Sequence, residues 1–293
     1  MVRYEGAGVD VRARGGGGVI LSEVKDRSGL TRITHPILRF AQDDCAAIFR
    51  RTRGRIVRSR VHDGSGEVAV RELLSTGVGW MAKQDSLDPQ TRDLVRFAAA
   101  IAQGYEPELR ERVGPLRSSQ VPAQWVEELI LQSVLMVGYP RALIAFGVWR
   151  KFSGVPAPQS DDGQDYGHVS EWTRRGQEVC ATVYGENYGK LRESVRQLHP
   201  AIDAWMITEG YGRTLGRPGL DLMRRELCTV AQTAVLEAPK QLYSHLRGSL
   251  NAGASFGQIE GVLSIVNPLL SFDQWKKVKE LWRTAREGWA PGN

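Results

Sequence analysis

From about residue 66 onward the apolar positions fall at helical spacing, and no alternating β-branched run of useful length interrupts them. Ile259, Val262, Leu263 and Val266 stand at i, i+3, i+4 and i+7, one apolar stripe along one helix face. The punctuation between stripes has a mechanism. Asp88 is an N-cap followed by Pro89 at the first helical position, where the missing N–H costs nothing. Gly104 and Gly253 stand where helices stop, because glycine enters the left-handed conformation freely. Ser255-x-x-Gln258 and Ser271-x-x-Gln274 are capping-box patterns ahead of apolar runs. The pattern predicts helices over 90–103, 106–118, 123–137 and 140–152, and again over 222–236, 239–252, 256–269 and 273–287. The expected fold class is all-α.

The second group of helices echoes the first at one offset. Gly77-Val78-Gly79 returns as Gly210-Tyr211-Gly212, 133 residues later. Leu87-Asp88 matches Leu220-Asp221, Arg92 matches Arg225, Leu109 matches Leu242, and Trp149 matches Trp282. A constant offset of this kind predicts a tandem repeat. The expected organisation is a first repeat over 66–153, a linker over 154–169, and a second repeat over 170–288. The linker holds Pro156, Pro158 and a small acidic cluster, and residues 170–213 form a helical lead-in.

Charge changes the picture only at the N-terminus. The net charge of +6 invites a nucleic-acid reading. Yet residues 1–65 hold 13 basic and 7 acidic residues, while the remainder balances at 26 of each. The helical part therefore has no electrostatic footprint for a phosphate backbone, and no nucleic-acid partner is expected. Residues 1–65, with Gly15 to Gly18 and the basic run Arg50 to Arg55, read as a flexible basic extension. Ser28 to Asp44 looks similar to translations of bacterial intergenic repeats, so the expectation is that the native start lies downstream. The extension lacks the apolar segment of a secretory signal. No run approaches eighteen consecutive apolar residues, and no membrane partner is expected. Cys45, Cys180 and Cys228 form neither a disulfide framework nor a C-x-x-C pair, which points to a reducing cytoplasm.

The second repeat resembles the carboxymuconolactone decarboxylase family, which shares its helical fold with the alkyl hydroperoxidase D-like proteins. The resemblance rests on Gly210-Tyr211-Gly212, on Arg217-Pro218-Gly219-Leu220-Asp221, on Arg225-Glu226-Leu227 and on Ser244 to Gly253. The lead-in Gly176 to Glu186 looks like the family's opening segment. It covers 170–285 well and 70–152 in weakened form. The resemblance implies a tandem of alkyl hydroperoxidase D-like helical units. In the hydroperoxidase branch a glutamate, a C-x-x-C pair and a histidine follow at fixed spacing. Glu226 and His245 match its first and last positions, but Ala238 and Gln241 replace the cysteines. A dithiol relay needs a thiolate and a resolving sulfur, so that chemistry is disfavoured.

The decarboxylase branch implies a small-molecule carboxylate substrate and neither metal nor cofactor. Such a site needs cations for the carboxylates, a group to protonate the product carbon, and a dry pocket. His245 and Glu226 are the expected acid–base pair, and Arg217, Arg225 and Arg247 the expected carboxylate binders. Each has a plainer reading. His245 and Glu226 could be a structural bond, Arg217-Pro218 could shape a turn, Arg247 could be a solvated charge, and Cys228 a small buried side chain. Glu226, His245 and Glu260 offer too few histidines for a metal site. Trp172, Trp205, Trp275 and Trp282 read as packing or subunit contact. In the first repeat Asp93 and Arg112 fall where Glu226 and His245 stand in the second, so it is expected to be structural or to edge a shared pocket. By analogy with ring-forming relatives, a homo-oligomer is expected, such as a trimer of tandem repeats.

Overall fold

The computed structural model describes residues 86–289. The expected extension over 1–65, the Gly77-Val78-Gly79 echo and Cys45 lie outside the described residues. The described residues are helical, with no strand among them. They comprise α1 (Pro89–Gln103), α2 (Glu106–Ser118), α3 (Ala123–Ser153), α4 (Val169–Tyr184), α5 (Tyr188–Leu198) and α6 (Pro200–Trp205). A π-helix (Met206–Leu215) continues α6, followed by α7 (Leu222–Val235), α8 (Pro239–Asn251), α9 (Phe256–Val266) and α10 (Phe272–Glu287).

The helix boundaries follow the local chemistry. Asp88 accepts the Thr91 amide hydrogen at 2.8 Å, and Asp221 accepts that of Arg224 at 3.0 Å. Both capping boxes form, at Ser255/Gln258 and Ser271/Gln274. Gly104 and Gly253 adopt φ of 79° and 94° and end α1 and α8. The break expected between 137 and 140 sits at Gly138, whose φ of 72° and ψ of 173° kink α3 two residues before Pro140. By length and mean composition α3 is nonetheless apolar enough to cross a membrane, a point that the search for an unbroken apolar run misses.

The starts of α1 and α7, Pro89 and Leu222, are 133 positions apart, and so are Glu106 and Pro239, and Ala123 and Phe256. Contacts recur at the same offset. The Trp149 indole donates to Glu127 at 3.5 Å, and the Trp282 indole donates to Glu260 at 3.3 Å. Helices α1 and α7 pack against each other, and Arg224 reaches its own counterpart Thr91 across that contact at 2.7 Å. Ser86 bonds to the Gly257 carbonyl, while Gly219 closes on Gln124, the positions 133 away from each partner. One apolar core runs through both sets of helices, from Leu94 and Phe97 to Leu227, Val230 and Val262.

A second, smaller core joins α4 to the π-helix through Cys180, Val183, Ile207, Tyr211 and Leu215. Two glycines set this contact. A Cβ on Gly176 would lie 2.0 Å from the Ile207 carbonyl oxygen, and one on Gly212 would lie 1.9 Å from that of Trp172. The two backbones touch there, and no side chain fits between them. This explains the Gly210-Tyr211-Gly212 motif, with Tyr211 buried toward α4 and α7.

Candidate active site

Glu226 sits on α7 and His245 on α8, neighbouring helices joined by a short turn. His245 Nδ1 lies 2.8 Å from Glu226 Oε2, with the two side chains 6% and 0% exposed. A carboxylate at Nδ1 places the ring hydrogen there and leaves the Nε2 lone pair for chemistry. The other carboxylate oxygen, Glu226 Oε1, is buried with no hydrogen-bond partner. An orphaned buried carboxylate oxygen is costly, and a ligand that donates to it would recover that cost. Gly248, one turn beyond His245, makes room for the carboxylate, since a Cβ there would meet Glu226 Oε2 at 2.6 Å and Val183 at 2.7 Å.

The surroundings of Glu226 come from α4 and the π-helix. Burial and the Glu226 charge both hold the Tyr211 and Tyr184 phenols above the usual range. Tyr184 also bonds to Tyr211 and Ser244. Burial pushes the Cys180 thiol up to about 12, with Glu226 adding to the effect. Cys228 lies in the other core, fully buried, and its thiol is raised further by desolvation. Neither sulfur is a thiolate near neutral pH, and the two occupy separate cores.

The structure divides the three expected carboxylate binders. Arg225 is fully buried and gives its guanidinium to Glu128 at 2.7 Å, Gln132 at 3.2 Å and the Leu220 and Arg217 carbonyls. Arg217 makes paired bonds to Glu128 and to Asp161, and Asp161 holds its guanidinium strongly in the charged form. Arg217 lines a separate cavity of about 530 Å³ that it shares with Glu128 and Asp161. Arg217 and Arg225, two of the expected carboxylate binders, are thus joined in an internal ion-pair network with Glu128 and Asp161. Sequence reading missed this because Glu128 lies on α3, almost a hundred positions away.

Arg247 is different. It is half-buried, bonds to the Gly288 carbonyl at 3.0 Å, and has no carboxylate partner among the described residues. With Val183, Tyr184, Asn187, Tyr243 and Ser244 it lines a cavity of about 320 Å³. Val183 and Tyr184 are shared between this cavity and the surroundings of Glu226. Sequence reading quoted the Gly176 to Glu186 segment that supplies them but not their role. Glu260 accepts from Trp282 and pairs with Arg286 at 3.5 Å, and no cluster able to hold a metal occurs among the described residues. Trp172 and Trp282 are buried packing residues, while Trp205 is exposed.

At the corresponding positions of the first set of helices, Asp93 is bonded to Arg96 at 3.0 Å and to Ser119. Arg112 replaces the histidine on α2 and is half-buried. Residues 69–151 match the model of the carboxymuconolactone decarboxylase family. The match falls on the first set of helices, whereas the sequence resemblance was strongest over 170–285. No curated protein matches the chain.

Proposed function

Since residues 69–151 are a carboxymuconolactone decarboxylase family domain, we propose that the chain is a cofactor-independent lyase acting on a small carboxylated lactone or keto acid. The chemistry is assigned to Glu226 and His245. The observation that carries this reading is the buried carboxylate with one oxygen on His245 Nδ1 and the other without a partner. Glu226 holds the imidazole in place through Nδ1. His245 Nε2 takes up a proton from solvent and gives it to the reacting carbon. On loss of carbon dioxide the electron pair of the broken bond delocalises toward the substrate carbonyl, and a proton delivered through the imidazole completes the product. Burial keeps this charge movement away from water.

We read the two sets of helices as copies of one unit related by a pseudo-two-fold axis. Thr91 facing Arg224, and the exchanged pair Ser86–Gly257 and Gly219–Gln124, are the reciprocal contacts that such an axis generates. In this reading the first copy supplies the family scaffold, with Asp93 locked to Arg96 and Ser119, and the second supplies the acid–base pair.

The test is carbon dioxide release from carboxymuconolactone by the intact chain, by His245→Ala and by Glu226→Gln, after both variants are shown to melt as the parent does. Turnover by the parent that falls at least a hundredfold, on the order expected for a lost general acid–base group, is the expected result. Equal turnover in a folded His245→Ala protein overturns the assignment.

A further inference from the structure

We infer that the cavity of about 530 Å³ in the bend of α3 is a second ligand site, one that takes an uncharged aromatic compound. Neither Glu226 nor His245 lines it, so the site is independent of the lyase reading.

Gly138 sets where the cavity opens. Its positive φ turns the chain within α3, and side chains from both sides of the turn border the same space. Leu131 and Val134 come from the first half of α3, Tyr139 and Phe146 from the second. The end of the π-helix forms another wall at Arg213 and Thr214. The segment between α3 and α4 adds Pro158, Asp161 and Gln164. That segment is tied down on both sides of Pro158. Arg150 donates to the Pro156 carbonyl at 3.0 Å, and Arg213 donates to the Gly163 carbonyl at 2.8 Å. The walls are thus held before a ligand arrives, and the volume suits a molecule of about two or three rings.

Charge balance selects the kind of ligand. Every charged side chain that lines the cavity already has an opposite partner. Arg150 pairs with Glu127 at 2.5 Å, Arg217 with Glu128 at 2.9 Å and with Asp161 at 2.6 Å, and Arg213 with Glu209 at 2.7 Å. An anion would have to draw an arginine from its carboxylate, and a cation a carboxylate from its arginine. Either leaves a charge without compensation, most expensively at the buried Glu128. An uncharged ligand breaks none of these pairs. The surface left for it to cover is apolar: Leu131, Val134, Phe146 and the Tyr139 ring, which is 69% exposed. Aromatic rings pack edge-on or offset against such faces. The amides of Gln124 and Gln164 can bond a hydroxyl or carbonyl at the ligand's edge. Ser264, Asn267 and Lys279 stand 133 positions on from Leu131, Val134 and Phe146, so the second set of helices keeps its packing without this apolar wall.

Fluorescence titration of the full chain with 1-anilinonaphthalene and with its 8-sulfonate tests both the cavity and its charge preference, because the two dyes differ by a single negative group. The uncharged dye is expected to bind one to a chain with a dissociation constant on the order of 10 μM, and the sulfonate at least about tenfold more weakly. Leu131→Trp puts a larger ring into the cavity and should weaken the uncharged dye by about tenfold or more. Val134→Gln makes the same wall polar without enlarging it and should weaken the dye by about threefold or more, which covers the case of a Leu131→Trp protein that does not fold. Binding to His245→Ala should match the parent. Absence of saturable one-to-one binding, a sulfonate bound as tightly as the uncharged dye, parental binding in the folded cavity variants, or loss of binding in a folded His245→Ala protein each overturns the inference. None of these readouts depends on carbon dioxide release.

Discussion

At the scale of single residues, partners decide what an ionisable group can do. Arg225 and Arg247 look alike in the sequence, each close to a member of the acid–base pair. One is fully buried on Glu128 and the other borders an open cavity. The cysteines show the same rule through desolvation. Burial raises the Cys180 thiol to about 12 and Cys228 further, so neither ionises near neutral pH. Iodoacetamide at neutral pH should therefore leave both unmodified in the native chain and alkylate both after unfolding in guanidinium. Peptide mapping by mass spectrometry reads the outcome, and native labelling of Cys180 would reopen a thiol-based mechanism. The spacing of Glu226 and His245 was legible in the sequence because they lie on consecutive helices. The orphaned Oε1 was not, since it depends on what α4 and the π-helix fail to offer.

At the scale of elements, caps and breaks were the most legible features. Asp88, Asp221, Ser255 and Ser271 cap as their side chains require, and Gly138 breaks α3 between the two helices expected there. The π-helix was not legible. Its wider turn leaves carbonyls that Arg175 and Thr214 satisfy, through Gly212 at 3.0 Å and Glu209 at 2.7 Å, and it rests on contact with α4. Gly212→Ala would place a methyl group 1.9 Å from a carbonyl oxygen of the opposite helix. The helices must part, and a loss of about 3 kcal/mol is expected in urea unfolding, beyond any gain in helix propensity. A protein as stable as the parent would mean that the close crossing is not needed.

At the scale of the whole molecule, Glu128 ties three segments together. Its carboxylate joins α3 to Arg217 ahead of α7 and to Arg225 within it, and Arg217 in turn holds Asp161 between α3 and α4. Removing one partner of a buried ion pair leaves charge without compensation. Glu128→Ala should cost about 3–5 kcal/mol, and Glu128→Gln less because it keeps hydrogen-bond acceptors. A loss below about 1 kcal/mol in urea unfolding would show that the network is solvated. The sequence by itself determined the helices, their caps and the constant offset between the two sets, since these depend on neighbours a few positions apart and on a recurring apolar stripe. It also placed Glu226 and His245 on consecutive helices. Only the tertiary structure decided which arginines stay available, which carboxylate oxygen is left alone and where a cavity opens beside the pair. Those properties are set by desolvation and by partners that the chain brings together from distant positions.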